Sequence, residues 1–207
     1  MFRAAKAVEA GSRDEDRIGV FDVAGSLVLI LADGAGGRAG GRQAAEAVVA
    51  GVQSRSWDLG TRGDANACVA ALTALDRDLG AAGQVGETTA VLAVVRDGEV
   101  FGASVGDSGA WLLARDEVVD LTRDQVRKPM IGFGHASPLA FGPRALTERS
   151  RLLLASDGLL KYSARERIAQ VALGQPLSQA AWSLIECVRL PSGGLHDDTA
   201  VILCGAT

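Results

Sequence analysis

Apolar positions along the chain fall into two rhythms. Val20–Val23 and Leu27–Ala32 are short apolar runs separated by Ala24-Gly25, which predicts a β-hairpin. Ala45, Val48, Val49 and Val52 then recur at helical spacing, as do Cys68, Leu72, Leu75 and Leu79. Four strands are predicted next: Thr88–Val95, Glu99–Val105, Ala110–Ala114 and Val118–Leu121. Their separators, Arg96-Asp97-Gly98, Gly106-Asp107-Ser108-Gly109 and Arg115-Asp116-Glu117, are too short for parallel crossovers, so the pairing is expected to be antiparallel. Leu152–Ala155 reads as a further strand. Two helices follow, the second patterned through Leu177, Ala180, Ala181, Leu184, Ile185 and Val188, and Ala200–Cys204 forms a last strand. Several strands are apolar on both faces, as in sheets covered on both sides. Two antiparallel sheets packed together with helices outside satisfy this pattern. The stripes Val48/Val49/Val52 and Leu184/Ile185/Val188 read as core, since an apolar stripe is what a surface helix buries.

Composition narrows the class. The 207 residues suffice for one well-buried domain spanning 1–207, and 48% hydrophobic with 22% charged residues describes a globular chain. A net charge of −4 with no Lys/Arg block argues against a nucleic-acid partner. No apolar run approaches a membrane span, and Met1 to Val8 lacks a signal-peptide core, so a cytoplasmic location without membrane attachment is expected. Cys68, Cys187 and Cys204 are widely spaced and set in apolar segments, which reads as buried free thiols. Oligomeric state is not legible.

Candidate chemistry lies at the strand ends. Leu27–Ala32 runs into Asp33-Gly34, Leu152–Ser156 into Asp157-Gly158, Asp197-Asp198 precede the final strand, and Glu15-Asp16 precede the first. One Asp-Gly at a strand end is an ordinary turn. Four acidic clusters at ends that converge on one edge of a sandwich are a different matter. Carboxylates gathered that closely repel one another, and hard divalent cations such as Mg²⁺ and Mn²⁺ relieve the repulsion. The basic residues within these motifs are Arg13 and Arg17.

The motifs carry a resemblance. Asp33-Gly34-Ala35-Gly36-Gly37 resembles the DGxGG motif of the metal-dependent serine/threonine protein phosphatases (PPM, type 2C). Gly86-Glu87-Thr88-Thr89-Ala90, Val105-Gly106-Asp107-Ser108 and Ala155-Ser156-Asp157-Gly158-Leu159 are similar to further segments of that family in the same order. Arg13-Asp14-Glu15-Asp16 resembles its opening segment and Asp197-Asp198-Thr199-Ala200-Val201 its closing one. The resemblance implies an α+β fold, a four-layer αββα sandwich of two antiparallel sheets flanked by helices. It also implies a dinuclear Mn²⁺ or Mg²⁺ centre that hydrolyses phosphoserine or phosphothreonine in proteins. Asp33 would bridge the ions and the Gly34 carbonyl would ligate one. Asp157 and Asp197 would hold the other, with Glu15 and Asp16 acting largely through water. Asp107 resembles the position where bacterial relatives bind a third metal, and a turn aspartate fits there equally well.

Departures from the family pattern bear on the substrate. Gly11 stands where many relatives carry a phosphate-gripping Arg, which leaves Arg13 as the substrate-binding candidate, since a guanidinium suits bidentate phosphate binding. Ala35 stands where some relatives carry a His, and neither His135 nor His196 matches a family acid. Gly109 and Asp198 replace an Arg and an Asn that are common in the family. The flap that relatives insert after Leu121-Thr122-Arg123-Asp124 is reduced here, which leaves a small phosphate ester as an alternative substrate. A catalytically silent binding or sensor domain is a further alternative, but it would be expected to lack metal aspartates. Gly34-Ala35-Gly36-Gly37-Arg38-Ala39 also fits a dinucleotide fingerprint. Asp33 would repel a pyrophosphate there, and no second strand ending in an acidic residue follows. A P-loop is excluded because no Gly-Lys-Ser/Thr follows.

Overall fold

The computed structural model describes residues 1–35, 40–83 and 86–206. Among these residues, ten strands and five helices follow the order β1 (Phe2–Glu9), β2 (Arg17–Val23), β3 (Ser26–Ala32), α1 (Gly41–Arg62), α2 (Ala65–Ala81), β4 (Ala90–Arg96), β5 (Glu99–Val105), β6 (Gly109–Ala114), β7 (Glu117–Asp120), β8 (Leu139–Ala145), β9 (Arg151–Ala155), α3 (Asp157–Leu160), α4 (Arg165–Gly174), α5 (Leu177–Glu186) and β10 (Thr199–Ala206). They form two five-stranded antiparallel sheets, ordered β1-β10-β9-β6-β7 and β2-β3-β4-β5-β8. This is the expected four-layer αββα sandwich.

Alternation along each strand explains the layers. In β3, Val28, Ile30 and Ala32 face α1 and α2, whereas Leu27, Leu29 and Leu31 face the opposite sheet. In β10, Val201 and Leu203 pack under the C-terminal helices, while Ala200, Ile202 and Cys204 point into the space between sheets. A strand sandwiched this way needs apolar residues at every position, which is why all seven residues of β3 are buried. Val48, Val52, Leu184 and Ile185 are buried in the two sheet–helix layers, as the stripes predicted. Cys68 and Cys204 are buried free thiols, and Cys187 is only half-buried at the end of α5.

Two strands depart from the expectation. β1 and β8 each pair with a single neighbour at a sheet edge. The interval where the reduced flap is expected contributes β8, which pairs with β5, and the segment between β7 and β8 crosses the edge of the sandwich where the acidic strand ends meet.

Candidate metal centre

Antiparallel register brings the acidic ends to one edge. Arg17 pairs with Ala32, so Asp16 and Asp33 flank the same end of the β2–β3 hairpin. Ala155 pairs with both Val201 and Gly109, so Asp157, Asp197 and the β5–β6 turn bearing Asp107 meet across the other sheet. Oxygens of Asp33, Asp107 and Asp157 lie within 4.8 Å of one another. Asp197, Asp198, Glu15, Gly34 and Arg13 line the same cleft, whose volume is ≈ 390 Å³.

Buried hydrogen bonds fix the main chain beneath these carboxylates. The Asp33 N–H donates to Thr89 Oγ1 at 3.1 Å, and the Asp33 carbonyl accepts from the Thr89 N–H at 2.8 Å and the Thr88 hydroxyl at 2.9 Å. Thr89 and Ser108 hydroxyls share a bond of 2.8 Å, which ties Asp33's support to the turn carrying Asp107. At Gly34 a Cβ would come within 2.6 Å of the Gly41 backbone, and at Gly158 within 2.0 Å of the Asp198 carbonyl. Glycine thus lets the start of α1 close on Asp33 and lets α3 close on the Asp197-Asp198 segment.

Electrostatics at this edge are adverse without a counter-charge. Asp16 is 2% exposed, and neither of its carboxylate oxygens has a hydrogen-bond partner; Glu15 Oε2 is likewise buried and unpartnered. Burial holds the Asp33 carboxyl far above the usual carboxylate range, and the charges of Asp16 and Asp157 push the same way. Burial also raises Asp16, reinforced by Asp198 and Asp157. Glu15 is raised by burial, offset in part by Arg13. Partnerless buried carboxylate oxygens beside a compact trio of aspartates make a donor set that suits a hard divalent cation.

Asp198 does something else. It is 5% exposed, and its carboxylate accepts from the N–H of Gly11 at 2.6 Å, Glu15 at 2.6 Å and Arg13 at 3.4 Å. Burial works to raise its pKa, but the backbone donors from Glu15, Asp14, Gly11 and Arg13 outweigh it, so Asp198 is lowered and stays ionised. It clamps the loop that presents Glu15 and Asp16. The same closeness excludes a side chain at Gly11, where a Cβ would lie 2.7 Å from the Asp197 carbonyl carbon.

The basic residues are distributed differently from the sequence expectation. Arg17 turns away from the carboxylates, binding Glu46 at 2.9 Å and the Asp16 carbonyl at 2.8 Å. Arg13 reaches the cleft half-exposed, 3.9 Å from Asp197 Oδ1. Lys161, one helical turn beyond Asp157, hydrogen-bonds Asp157 Oδ2 and lies 3.4 Å from Asp107 Oδ2. That bond to Asp157 raises the Lys161 pKa. Arg127 and Lys128 also line the cleft, from the segment between β7 and β8. That segment is tied down at both ends: the Gly106 N–H donates to the Val126 carbonyl at 2.9 Å, and Thr88 pairs with Ile131. Asp76, 1% exposed in α2, accepts from the N–H of Gly132, Gly134 and Ala136 at 2.8–3.0 Å.

His135 and His196 do not line the cleft; His196 stacks on Tyr162 with ring centroids 4.5 Å apart. Gly36 and Gly37 of the DGxGG segment, and most of the dinucleotide-like run, lie outside the described residues.

Comparison of the whole structure with solved ones is decisive for architecture. A point variant of a bacterial serine phosphatase superposes with a TM-score of 0.87 at 25% identity, covering 100% of this chain and 99% of that one. The chain has the fold of the bacterial serine/threonine phosphatases. Serine/threonine phosphatase Stp1 from Staphylococcus aureus matches with a TM-score of 0.87 at 21% identity, over 100% of this chain and 96% of the other. The catalytic domain of the serine/threonine protein phosphatase PstP, crystallised with two manganese ions, matches with a TM-score of 0.82 at 24% identity, over 99% and 97%. No family model matches the chain, and no curated protein matches it in sequence. The phosphatase fold and the motif resemblance thus agree with each other. No helix among the described residues is long and apolar enough to cross a membrane.

Proposed function

We propose that the chain is a metal-dependent phosphatase acting on phosphoserine and phosphothreonine in proteins, as one catalytic unit over 1–207 and in the cytoplasm. The observation that carries the reading is the convergence of Asp33, Asp107 and Asp157 within 4.8 Å, beside the unpartnered oxygens of Asp16, at the edge of a phosphatase-type sandwich. Asp33, Asp157 and Asp197 are the catalytic carboxylates in this reading. Together with Asp16, Glu15 and the Gly34 carbonyl they hold two Mn²⁺ or Mg²⁺ ions, with Asp107 at their border. A bound pair of such ions lowers the pKa of a shared water and neutralises the oxygens of an in-line displacement.

The residues of the chain then divide the remaining work. The Thr88, Thr89 and Ser108 bonds hold Asp33 and the Asp107 turn in place before substrate arrives. Arg13, Arg127 and Lys128 line the same cleft, Arg13 beside Asp197, and supply the positive charge that orients a phosphate dianion. Among the described residues the cluster is made of carboxylates, a donor set that favours Mn²⁺ or Mg²⁺ over zinc. A phosphothreonine peptide and p-nitrophenyl phosphate, each assayed with Mn²⁺ and with excess chelator, test the reading. Mn²⁺-dependent release from both is expected, with the peptide turned over at the higher kcat/KM, and to vanish in Asp157→Asn. Undiminished turnover in chelator would refute the metal mechanism. Turnover of the small ester alone would refute the protein substrate.

A further inference from the structure

We propose that Lys161 is a built-in cation of the acidic centre, its ammonium occupying the place between Asp107 and Asp157 that a further divalent ion would otherwise take. The centre is thereby held at two ions. The inference rests on the dinuclear reading above.

Lys161 sits four residues after Asp157 and closes the end of α3, so helical spacing sets the two side chains on one face. Its Nζ donates to Asp157 Oδ2 and approaches Asp107 Oδ2 at 3.4 Å. These are two of the three carboxylates whose oxygens gather within 4.8 Å. The Asp157 side chain is 14% exposed, so the pair is shielded from water on that side, and attraction there exceeds that of an ordinary surface ion pair. The ammonium claims one oxygen of each aspartate. A divalent ion using the same oxygens has to displace it against like-charge repulsion. Lys161 itself is half-exposed on a flexible stem, so it can be displaced at high metal concentration, and the effect is a weakened third site. Asp33 and Asp16 lie on the opposite sheet's hairpin, and Lys161 makes no bond to either. The ammonium therefore leaves them free to hold metal.

Counting bound ions tests this. Equilibrium dialysis against a series of Mn²⁺ concentrations, with bound metal measured by mass spectrometry, is applied to wild type, Lys161→Ala, Lys161→Gln, Lys161→Arg and Lys161→Ala/Asp107→Asn. Wild type and Lys161→Arg are expected to bind two ions per chain. Lys161→Ala and Lys161→Gln gain a third, at least roughly tenfold tighter than any third ion on wild type, as removal of a neighbouring positive charge requires. The third ion disappears in the double variant. Identical binding by wild type and Lys161→Ala overturns the proposal, whether each binds two ions or each binds a third equally tightly, and so does a third ion that persists without Asp107; each leaves the dinuclear reading intact. A wild type that binds no Mn²⁺ overturns that reading and this proposal together.

Discussion

Removing the Asp198 carboxylate should loosen the loop that carries Glu15 and Asp16, with consequences for stability and metal affinity together. Its two short bonds, from the Gly11 and Glu15 N–H groups at 2.6 Å, are charge-assisted and formed by a residue 5% exposed. Hydrogen bonds to a charged group contribute about 1.5–3 kcal/mol each. Residues 10–13 are exposed, so water recovers part of the loss when the acceptor is deleted. A net cost of about 2–4 kcal/mol for Asp198→Ala follows. At about 2–4 °C per kcal/mol for a domain of this size, the melting temperature should fall by roughly 4–16 °C. Asp198→Asn retains one acceptor oxygen and should lose about half as much. The assay is a thermal melt in chelator paired with a Mn²⁺ titration. Both variants should bind Mn²⁺ more weakly in the same order, Ala below Asn below wild type. Melting and Mn²⁺ affinity unchanged in Asp198→Ala would show that the clamp is not what positions the opening loop.

Asp33→Asn should melt no lower than wild type in chelator, because the amide has no charge to be desolvated by burial or to repel Asp16 and Asp157, and needs no proton taken up on folding. It should also lose the gain of about 2.7 kcal/mol, or about 5–11 °C, that wild type shows in Mn²⁺ at about 100 times its Kd; equal gains in the two proteins would move the site elsewhere. The raised pKa values of Asp33 and Asp16 mean that the metal-free fold binds more protons than the unfolded chain. Their stabilising effect is complete below the ordinary carboxylate range and is lost as pH rises through the raised values. Stability in chelator should therefore climb as pH falls from about 8 to about 5, by up to about 1.4 kcal/mol per proton per pH unit, read as a rising melting temperature, and a fall over that window refutes the assignment. Asp198, being lowered, acts in the opposite sense, so its contribution is lost only on further acidification. Asp76→Ala frees the N–H groups of Gly132, Gly134 and Ala136. It should raise KM for a phosphopeptide with little change in Mn²⁺ affinity, and a weakened Mn²⁺ affinity with unchanged KM would contradict the separation of rim from metal floor.

The parts of the fold legible in the sequence are those buried on two faces. β3, β4, β9 and β10 are near-continuous apolar runs, and their ends locate Asp33 and Asp157 without further information. β1 and β8 escaped because a solvent face at the sheet edge breaks up their apolar pattern, whereas the edge strands β2 and β7 keep Val20-Phe21 and Val118-Val119 beside short turns that mark them. β8 is exposed at six of seven positions and contains Pro143, a residue tolerated at an edge and excluded from a central strand. In the site, Lys161 was within reach of sequence reasoning, since Ser156-Asp157-Gly158 opens a helix and position 161 falls one turn on. The Asp198 clamp was not: its donors lie 183 to 187 residues away in the chain, and only antiparallel register brings the segments together.

The same distinction assigns different tolerances to the two sides of the cleft. The acidic floor is set by strand ends whose backbone is fixed by sheet pairing and by Thr88, Thr89 and Ser108, all buried. A shift of Asp33 or Asp157 would have to break ladder bonds or open the contacts at Gly34 and Gly158, where no Cβ fits. The basic rim has no such constraint. Arg127 and Lys128 stand on an irregular segment held by the Val126 carbonyl, the Ile131 bridge and the Asp76 carboxylate, and Arg13 on an exposed loop held by Asp198. Substitutions that reshape the rim can therefore change which phosphate ester is accepted while the floor keeps its geometry. Substitutions beneath the floor cost metal and fold together. On the proposed reading, substrate choice would belong to three loop cations and their two buried aspartate anchors, and hydrolysis itself to the sheet edge.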